Sequence, residues 1–174
     1  SLEEYLQICK HYGKKAILEL KDAFTAEDIA EICRIAQSLE YMENTVFISF
    51  KMSNLLLLKE KYPEQSVQYL VDHPIENTLI EELVEQKMGI DARCDWFTEE
   101  IMQKCREKGV ATNAWTVNDP EMAKKLIDWG IDFITSIQSS TGFYAAVRSN
   151  YPGEMISSRN YLACRIICKI CCKR

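Results

Sequence analysis

The chain has 174 residues, of which 47% are apolar and 27% charged, and this near-average globular composition excludes wholesale disorder. The net charge of −5 gives no electrostatic case for binding nucleic acid. No apolar stretch reaches the length of a transmembrane helix, and the N-terminus lacks a signal-peptide pattern, so we expect a cytoplasmic protein.

The first part of the chain alternates helix and strand signals. Ser1 and Glu4 form a capping-box pattern, which predicts a first helix, and a strand is predicted at 16–20. Thr25 and Asp28 open a second helix in the same way. Strands at 46–50 and 66–71 follow, separated by a helix at 53–61.

The alternation continues to about residue 136. Thr78 with Glu81 predicts a helix that runs to about Met88 and is ended by Gly89. One further helix is predicted from Thr98 to Gly109, and another from Asp119–Pro120 to Gly130. The extended segments are a short piece at 89–93 and strands at 110–117 and 132–136.

Five clear strands, with a sixth at 89–93, predict an α/β fold with parallel strands joined by helices. An open doubly wound sheet and a (β/α) barrel both fit this alternation. A nucleotide-binding sheet would need a Gly-rich loop after an early strand, and a chain with six glycines has none. The pattern therefore favours a (β/α) barrel. The barrel would be partial, because a complete one has eight strands.

The first strand carries the clearest chemical signal. Side chains alternate along a strand, so Ile17, Glu19 and Lys21 share one face, and Leu18 lies on the other with its apolar neighbours. Active-site groups of barrels sit at the carboxyl ends of strands. A buried Glu19 needs a partner, and both a hard divalent cation and Lys21 satisfy that need.

Eight cysteines are many for an intracellular domain. Cys9, Cys33 and Cys105 fall in predicted helices, and Cys94 follows the extended piece at 89–93. None of these four forms a C-x-x-C pair, so we interpret them as reduced structural thiols rather than a disulfide framework.

The segments "SLEEYLQICKHYGKKAILELK", "VFISF" and "GVATNAWTVNDPEMAKKLIDWGIDFITS" resemble, in this order, the glycerophosphodiester phosphodiesterase family. That resemblance implies the C-terminal part of a (β/α)8 barrel over residues 1–140. Beyond it, the helical spacing of Cys164, Cys168 and Cys171 in a basic segment predicts a helical, Cys-rich and basic tail at 141–174. The resemblance further implies hydrolysis of glycerophosphodiesters to glycerol 3-phosphate and an alcohol with a divalent cation, Ca²⁺ or Mg²⁺, in lipid and glycerol metabolism.

The resemblance also assigns roles to particular residues. It makes Glu19 a metal ligand, Lys21 a ligand for the phosphoryl oxygens, and Trp115 part of the glycerol pocket. Ser49 fits either a ligand contact or a satisfied interior hydroxyl. Asn118 and Asp119 are interpreted as helix caps.

The family's His-Arg-Gly, Glu-x-Asp and His-Asp strands, with both catalytic histidines, do not occur in this sequence. His11 and His73 are the only histidines, and we assign no catalytic role to either. We therefore expect the chain to be inactive alone. Either it belongs to an enzyme completed by other strands, or it is a non-catalytic remnant that binds a ligand or partner.

A barrel without three strands has two open edges, at 16–20 and 132–136, and an uncovered interior layer that includes Ile17 and Phe47. We therefore expect self-association, pairing with a partner that supplies the missing segment, or folding of the Cys-rich tail over the gap.

Overall fold

A computed structural model describes residues 1–137, and the tail predicted at 141–174 lies outside the described residues. The helices are α1 Leu2–His11, α2 Ala26–Ser38, α3 Met52–Lys61, α4 Asn77–Glu85, α5 Glu99–Glu107 and α6 Pro120–Asp128. The strands are β1 Ala16–Glu19, β2 Thr45–Ser49, β3 Val67–Val71, β4 Gly89–Arg93, β5 Thr112–Trp115 and β6 Phe133–Ile134. Single 3-10 turns lie at Met42–Asn44 and Cys94–Trp96.

The described residues form two compact units, residues 1–70 and the part from Val71 onward. In the first unit β1 pairs with β2 and β2 with β3, all in parallel. In the second, β4 pairs with β5 and β5 with β6, again in parallel. The α/β class and the repeated strand–helix alternation of a partial (β/α) barrel are confirmed, and 89–93 forms a full strand.

The two faces of the first unit's strands are distinguished by their register. Leu18 lies opposite Phe47, whereas Ile17 lies opposite Val46. Ser49, on the same face as Phe47, is hydrogen-bonded to Asn54 of α3, so that face is covered by helix. The prediction that Ile17 and Phe47 share a layer is therefore wrong: Phe47 packs on the helix side, and Ile17 lies on the opposite face.

Most predicted helix starts are confirmed. Each depends on a capping residue that bonds a backbone amide a few residues further along the chain, and such a pattern can be read from the sequence. Ser1 and Thr25 both form complete capping boxes, with Glu4 and Asp28 as the reciprocal partners. Thr98 accepts a hydrogen bond from the backbone N–H of Ile101, and the N-cap residues satisfy amides that have no partner inside the helix.

The boundaries of α4 differ from the prediction. Glu76 is its N-cap residue, and the Thr78 hydroxyl donates to the Glu76 carboxylate at 3.4 Å instead of capping the helix. The helix ends at Glu85, and Lys87, with φ of 51°, makes the left-handed turn. Backbone bonds from Lys87 to Val84 and from Met88 to Leu83 close this turn, so no glycine is needed there.

Candidate functional site

Glu19 is the last residue of β1, and its side chain is 5% exposed. It lies opposite Ile48 of β2, on the face away from helix α3. The alternation predicted from sequence therefore holds, with Ile17 one step deeper on the same face. A carboxylate is thus held at the carboxyl end of a buried strand.

Lys21 follows two residues later and is exposed, just beyond the end of β1. The backbone N–H of Leu20 donates to the carbonyl oxygen of Ile48 at 2.8 Å. Lys21 therefore comes directly after a residue that is hydrogen-bonded to β2. Among the ion pairs of the described chain, none joins Glu19 to Lys21. The ammonium group is thus presented to solvent near the carboxyl end of β1.

The loop that carries Lys21 is held by Asn54, a fully buried residue in the first turn of α3. Its amide nitrogen donates to the carbonyl oxygens of Asp22 at 2.8 Å and Leu20 at 3.3 Å, and its oxygen accepts from the N–H of Phe24 at 3.0 Å. Sequence reasoning missed Asn54. Its signal is a single amide at the start of the apolar run "NLLLL".

Ser49 is a satisfied interior hydroxyl, which decides between the two interpretations left open by the sequence. It donates to the carbonyl oxygen of Leu20 at 2.6 Å and accepts from the backbone N–H of Lys51 at 3.0 Å. It also accepts from Asn54 at 3.2 Å. These bonds join β1, β2 and α3 and leave Ser49 0% exposed. Its role is therefore structural.

A second polar side chain of the first unit lies level with Glu19. Ile48 pairs with Glu19 on one side and with Gln68 of β3 on the other, so all three side chains point to one face. Gln68 is 1% exposed, and its side-chain oxygen has no hydrogen-bond partner in the described part of the chain. Sequence reasoning missed this residue, which interrupts the apolar strand "VQYLV".

In the second unit, Trp115 ends β5 and is half-buried. Its indole N–H donates to the backbone carbonyl of Asp91 at 3.1 Å, which fixes the ring against β4. Asp91 and Asn113 are fully buried and lie opposite each other. Thr135 donates to the Asn113 oxygen at 3.4 Å. This polar layer was missed, although "GIDAR" and "TNAW" carry polar residues inside apolar strands.

Arg93, at the carboxyl end of β4, already has a charged partner. Arg93 forms a 2.6 Å ion pair with Asp95, and its guanidinium lies 5.5 Å from the centre of the Trp96 ring. The hydrogen bond that Arg93 donates to the Asp95 carboxylate raises the pKa of Arg93. Burial, and then the Asp95 charge, raises the pKa of the Cys94 thiol, so Cys94 has little thiolate character.

Several solved structures share this fold. A glycerophosphodiester phosphodiesterase from Parabacteroides distasonis matches with 27% identity and a TM-score of 0.71, over 86% of this chain and 64% of its own. A phosphodiesterase from Oleispira antarctica, solved with sn-glycerol-3-phosphate, matches with 24% identity and a TM-score of 0.72, over 87% of this chain and 61% of its own. The family resemblance is confirmed.

The chain spans less than two thirds of the length of these phosphodiesterases. A third such structure, a glycerophosphodiester phosphodiesterase from Agrobacterium tumefaciens, has 17% identity and a TM-score of 0.65, over 85% of this chain and 61% of its own. No protein-family model and no curated protein matches the sequence. The likeness to the glycerophosphodiester phosphodiesterases is therefore expressed chiefly in the fold.

The two histidines lie outside the strands. His11 is the last residue of α1, is exposed and packs edge-on against Tyr12 with ring centres 4.8 Å apart. His73 follows β3 in an exposed bend, where its Nδ1 lies 3.1 Å from the carbonyl oxygen of Pro74. His73 is thus a loop residue, as the sequence predicts.

Of the two residues interpreted as caps, only Asp119 caps a helix. Its carboxylate accepts from the N–H of Glu121 at 3.2 Å at the start of α6, with Pro120 in the first turn. Asn118 instead accepts from the Ser136 hydroxyl at 3.1 Å and from the N–H of Ile137 at 3.2 Å. Asn118 therefore ties the segment after β6 to the loop after β5.

The fit to a divalent cation depends on oxygen atoms of the first unit. Residues 1–137 contain no group of three or more His, Cys, Asp or Glu side chains placed to hold a metal ion. Glu19 and the partnerless oxygen of Gln68 do lie on one face at one level. Carboxylate and amide oxygens suit Ca²⁺ and Mg²⁺, so these two residues fit such an ion in part.

Within the part of the chain that the structure describes, no helix has the length and apolar content needed to cross a membrane.

Cys9, Cys33 and Cys105 are buried free thiols, and Cys94 is a free thiol that is partly exposed. Burial raises the pKa of Cys33 and of Cys105 to about 11, which keeps both in the neutral thiol form. They pack as small apolar side chains.

Proposed function

We propose that this chain contributes to metal-dependent hydrolysis of glycerophosphodiesters to glycerol 3-phosphate and an alcohol. The observation that carries the proposal is the placement of Glu19, which is 5% exposed at the carboxyl end of β1 and followed by the exposed Lys21. This arrangement occurs in a fold shared with a glycerophosphodiester phosphodiesterase at a TM-score of 0.71.

The proposed roles follow from charge and position. Glu19 would hold a divalent cation, which polarises a phosphoryl oxygen when bound. Lys21 would hold the phosphoryl oxygens and offset their growing negative charge. The half-buried ring of Trp115 suits the carbon face of glycerol. Asn54 fixes the loop that presents Lys21, so its role is positioning.

Hydrolysis also needs a general acid and a general base, and none of these residues is a candidate for either role. Histidine is the side chain best suited to it near neutral pH, but His11 ends a helix and His73 lies in an exposed bend. We therefore expect the 174-residue chain to hydrolyse glycerophosphocholine at no more than the background rate. This favours a second candidate, a non-catalytic module that binds a ligand or partner.

A chimera distinguishes the two candidates. The part of the Parabacteroides distasonis relative that this chain does not cover would be joined to Ser1. If the proposal holds, this protein releases glycerol 3-phosphate only with Ca²⁺ or Mg²⁺, and Glu19→Gln abolishes the release. A chimera that melts cooperatively and releases no product would support the non-catalytic module.

We also propose a cytoplasmic location and a role in lipid and glycerol metabolism. The free Cys33 and Cys105 thiols support the location, because reduced cysteines are typical of a reducing compartment, and the proposed substrate supports the metabolic role. Fractionation with an antibody to the chain tests the location, and accumulation of glycerophosphodiesters after gene disruption tests the metabolic role.

A further inference from the structure

Gln68 is a buried polar group that the proposed roles leave unused. It is 1% exposed, and its side-chain oxygen finds no hydrogen bond within the described residues. A buried acceptor without a partner is costly, so natural proteins rarely keep one without a reason. Gln68 is nevertheless present, between Val67 and Tyr69 in the strand "VQYLV", which has no other amide or charged side chain.

The position of Gln68 relates it to Glu19. Both residues flank Ile48 in the register of the first unit, so their side chains lie on one face, two strands apart. Strands are spaced about 4.8 Å, which puts the two Cα atoms roughly 10 Å apart. Glu and Gln are long side chains, so both oxygens can approach a single ion that lies over Ile48.

We propose that Gln68 supplies a neutral oxygen ligand to the divalent cation held by Glu19. The inference rests on the proposed function, since it adds a residue to the same site. An amide oxygen is a regular ligand of Ca²⁺, and binding the ion would satisfy an oxygen that has no partner within residues 1–137. Because the amide carries no charge, it adds affinity without adding a second buried carboxylate.

The experiment is calorimetric titration of the 174-residue chain with Ca²⁺. We expect a dissociation constant no tighter than the order of a millimolar, because few carboxylates are present. Gln68→Leu should weaken binding by about tenfold, and Gln68→Glu should strengthen it by about tenfold through its added charge. Glu19→Gln should abolish it. Gln37→Leu, on the exposed side of α2, is the matched control and should change nothing.

Thermal melts separate binding from a merely structural role. Without Ca²⁺, Gln68→Leu should melt no lower than the unmodified chain, because it removes an unpaired buried oxygen. With Ca²⁺ at about ten times the dissociation constant, the unmodified chain should melt higher and Gln68→Leu should not. A variant that loses both stability and binding would indicate a structural role and overturn the inference.

The outcomes also separate this inference from the proposed function. If Glu19→Gln loses Ca²⁺ while Gln68→Leu keeps the full affinity, the cation site stands and the role of Gln68 is overturned. If neither substitution changes the affinity, both are overturned. If the unmodified chain binds no Ca²⁺ and Gln68→Glu creates no binding, both are again overturned.

Discussion

The hydroxyl group of Tyr5 binds both backbone polar groups of Ile17. It accepts from the Ile17 N–H at 3.2 Å and donates to the Ile17 carbonyl oxygen at 3.3 Å. Among the described strands β1 pairs only with β2, and these groups of Ile17 are turned to the other side. A side chain from α1 thus occupies the position of a neighbouring strand, which limits the open edge expected at residues 16–20.

Tyr5→Phe should expose this edge. The buried N–H and carbonyl of Ile17 would lose their partner, which we expect to lower the free energy of unfolding by about 1–3 kcal/mol. Self-association should increase, because an unpaired edge offers hydrogen bonds to another chain. Denaturant melts and light scattering measure the two effects. Tyr12→Phe, at a 67% exposed position, is the control, and equal behaviour of the two variants would contradict the prediction.

The second unit has its outermost described strand at β6, which pairs with β5 alone within residues 71–137. We expect the 174-residue chain to self-associate or to pair with a segment that completes this edge. Light scattering over a range of concentrations tests the expectation, on the full chain and after deletion of residues 155–174. A monodisperse monomer that unfolds cooperatively in both forms would show that these residues are self-sufficient.

Asn54→Ala should loosen the loop that carries Lys21. The substitution leaves the carbonyl oxygen of Asp22 and the N–H of Phe24 without their partner. We expect it to lower the free energy of unfolding by about 1–3 kcal/mol. Hydrogen exchange at the Phe24 amide should become faster. Asn44→Ala, at an exposed position, serves as the control. Unchanged protection at Phe24 would show that the loop is held by other contacts.

Glu81 should make stability depend on pH. Hydrogen bonds from Lys108 at 2.8 Å and Lys104 at 3.2 Å lower the pKa of this carboxyl group in the folded protein. Its contribution is therefore complete above the unfolded pKa, about 4.3, and is lost as the pH falls through the lower folded value.

We expect Glu81→Gln to lower the melting temperature slightly at pH 7, because the group is exposed, and to leave it unchanged well below pH 4. Melting curves of both proteins between about pH 2 and pH 7 measure the difference, which should shrink as the acid is added. Glu85→Gln, one turn further along α4, is the control. A difference that grows toward acid pH would reverse the assigned sign.

Lys21→Gln should weaken the binding of glycerol 3-phosphate. An exposed ammonium is a modest phosphate ligand, so we expect weak binding by the chain and a loss of about tenfold on substitution. Ligand-observed NMR detects this range. Lys15→Gln removes another exposed charge, just before β1, and should have little effect. If both substitutions act alike, the attraction is non-specific.

The sequence by itself determined the elements whose causes are local. Capping boxes at Ser1 and Thr25 set the starts of α1 and α2, because each cap bonds an amide three residues away. The alternation at Ile17, Glu19 and Lys21 fixed which face of β1 would carry the charges. Even here a local rule failed at α4, where buried Met88 and the turn at Lys87 took the place of a glycine stop.

Only the tertiary structure decided how these residues meet. Tyr5 and Ile17 are 12 positions apart, and Asn54 reaches back 30 positions to Phe24. The level shared by Glu19 and Gln68 depends on the register of three strands, which no spacing in the sequence encodes. Such contacts form when helices and strands pack, because packing fixes which distant polar groups are buried together and must satisfy one another.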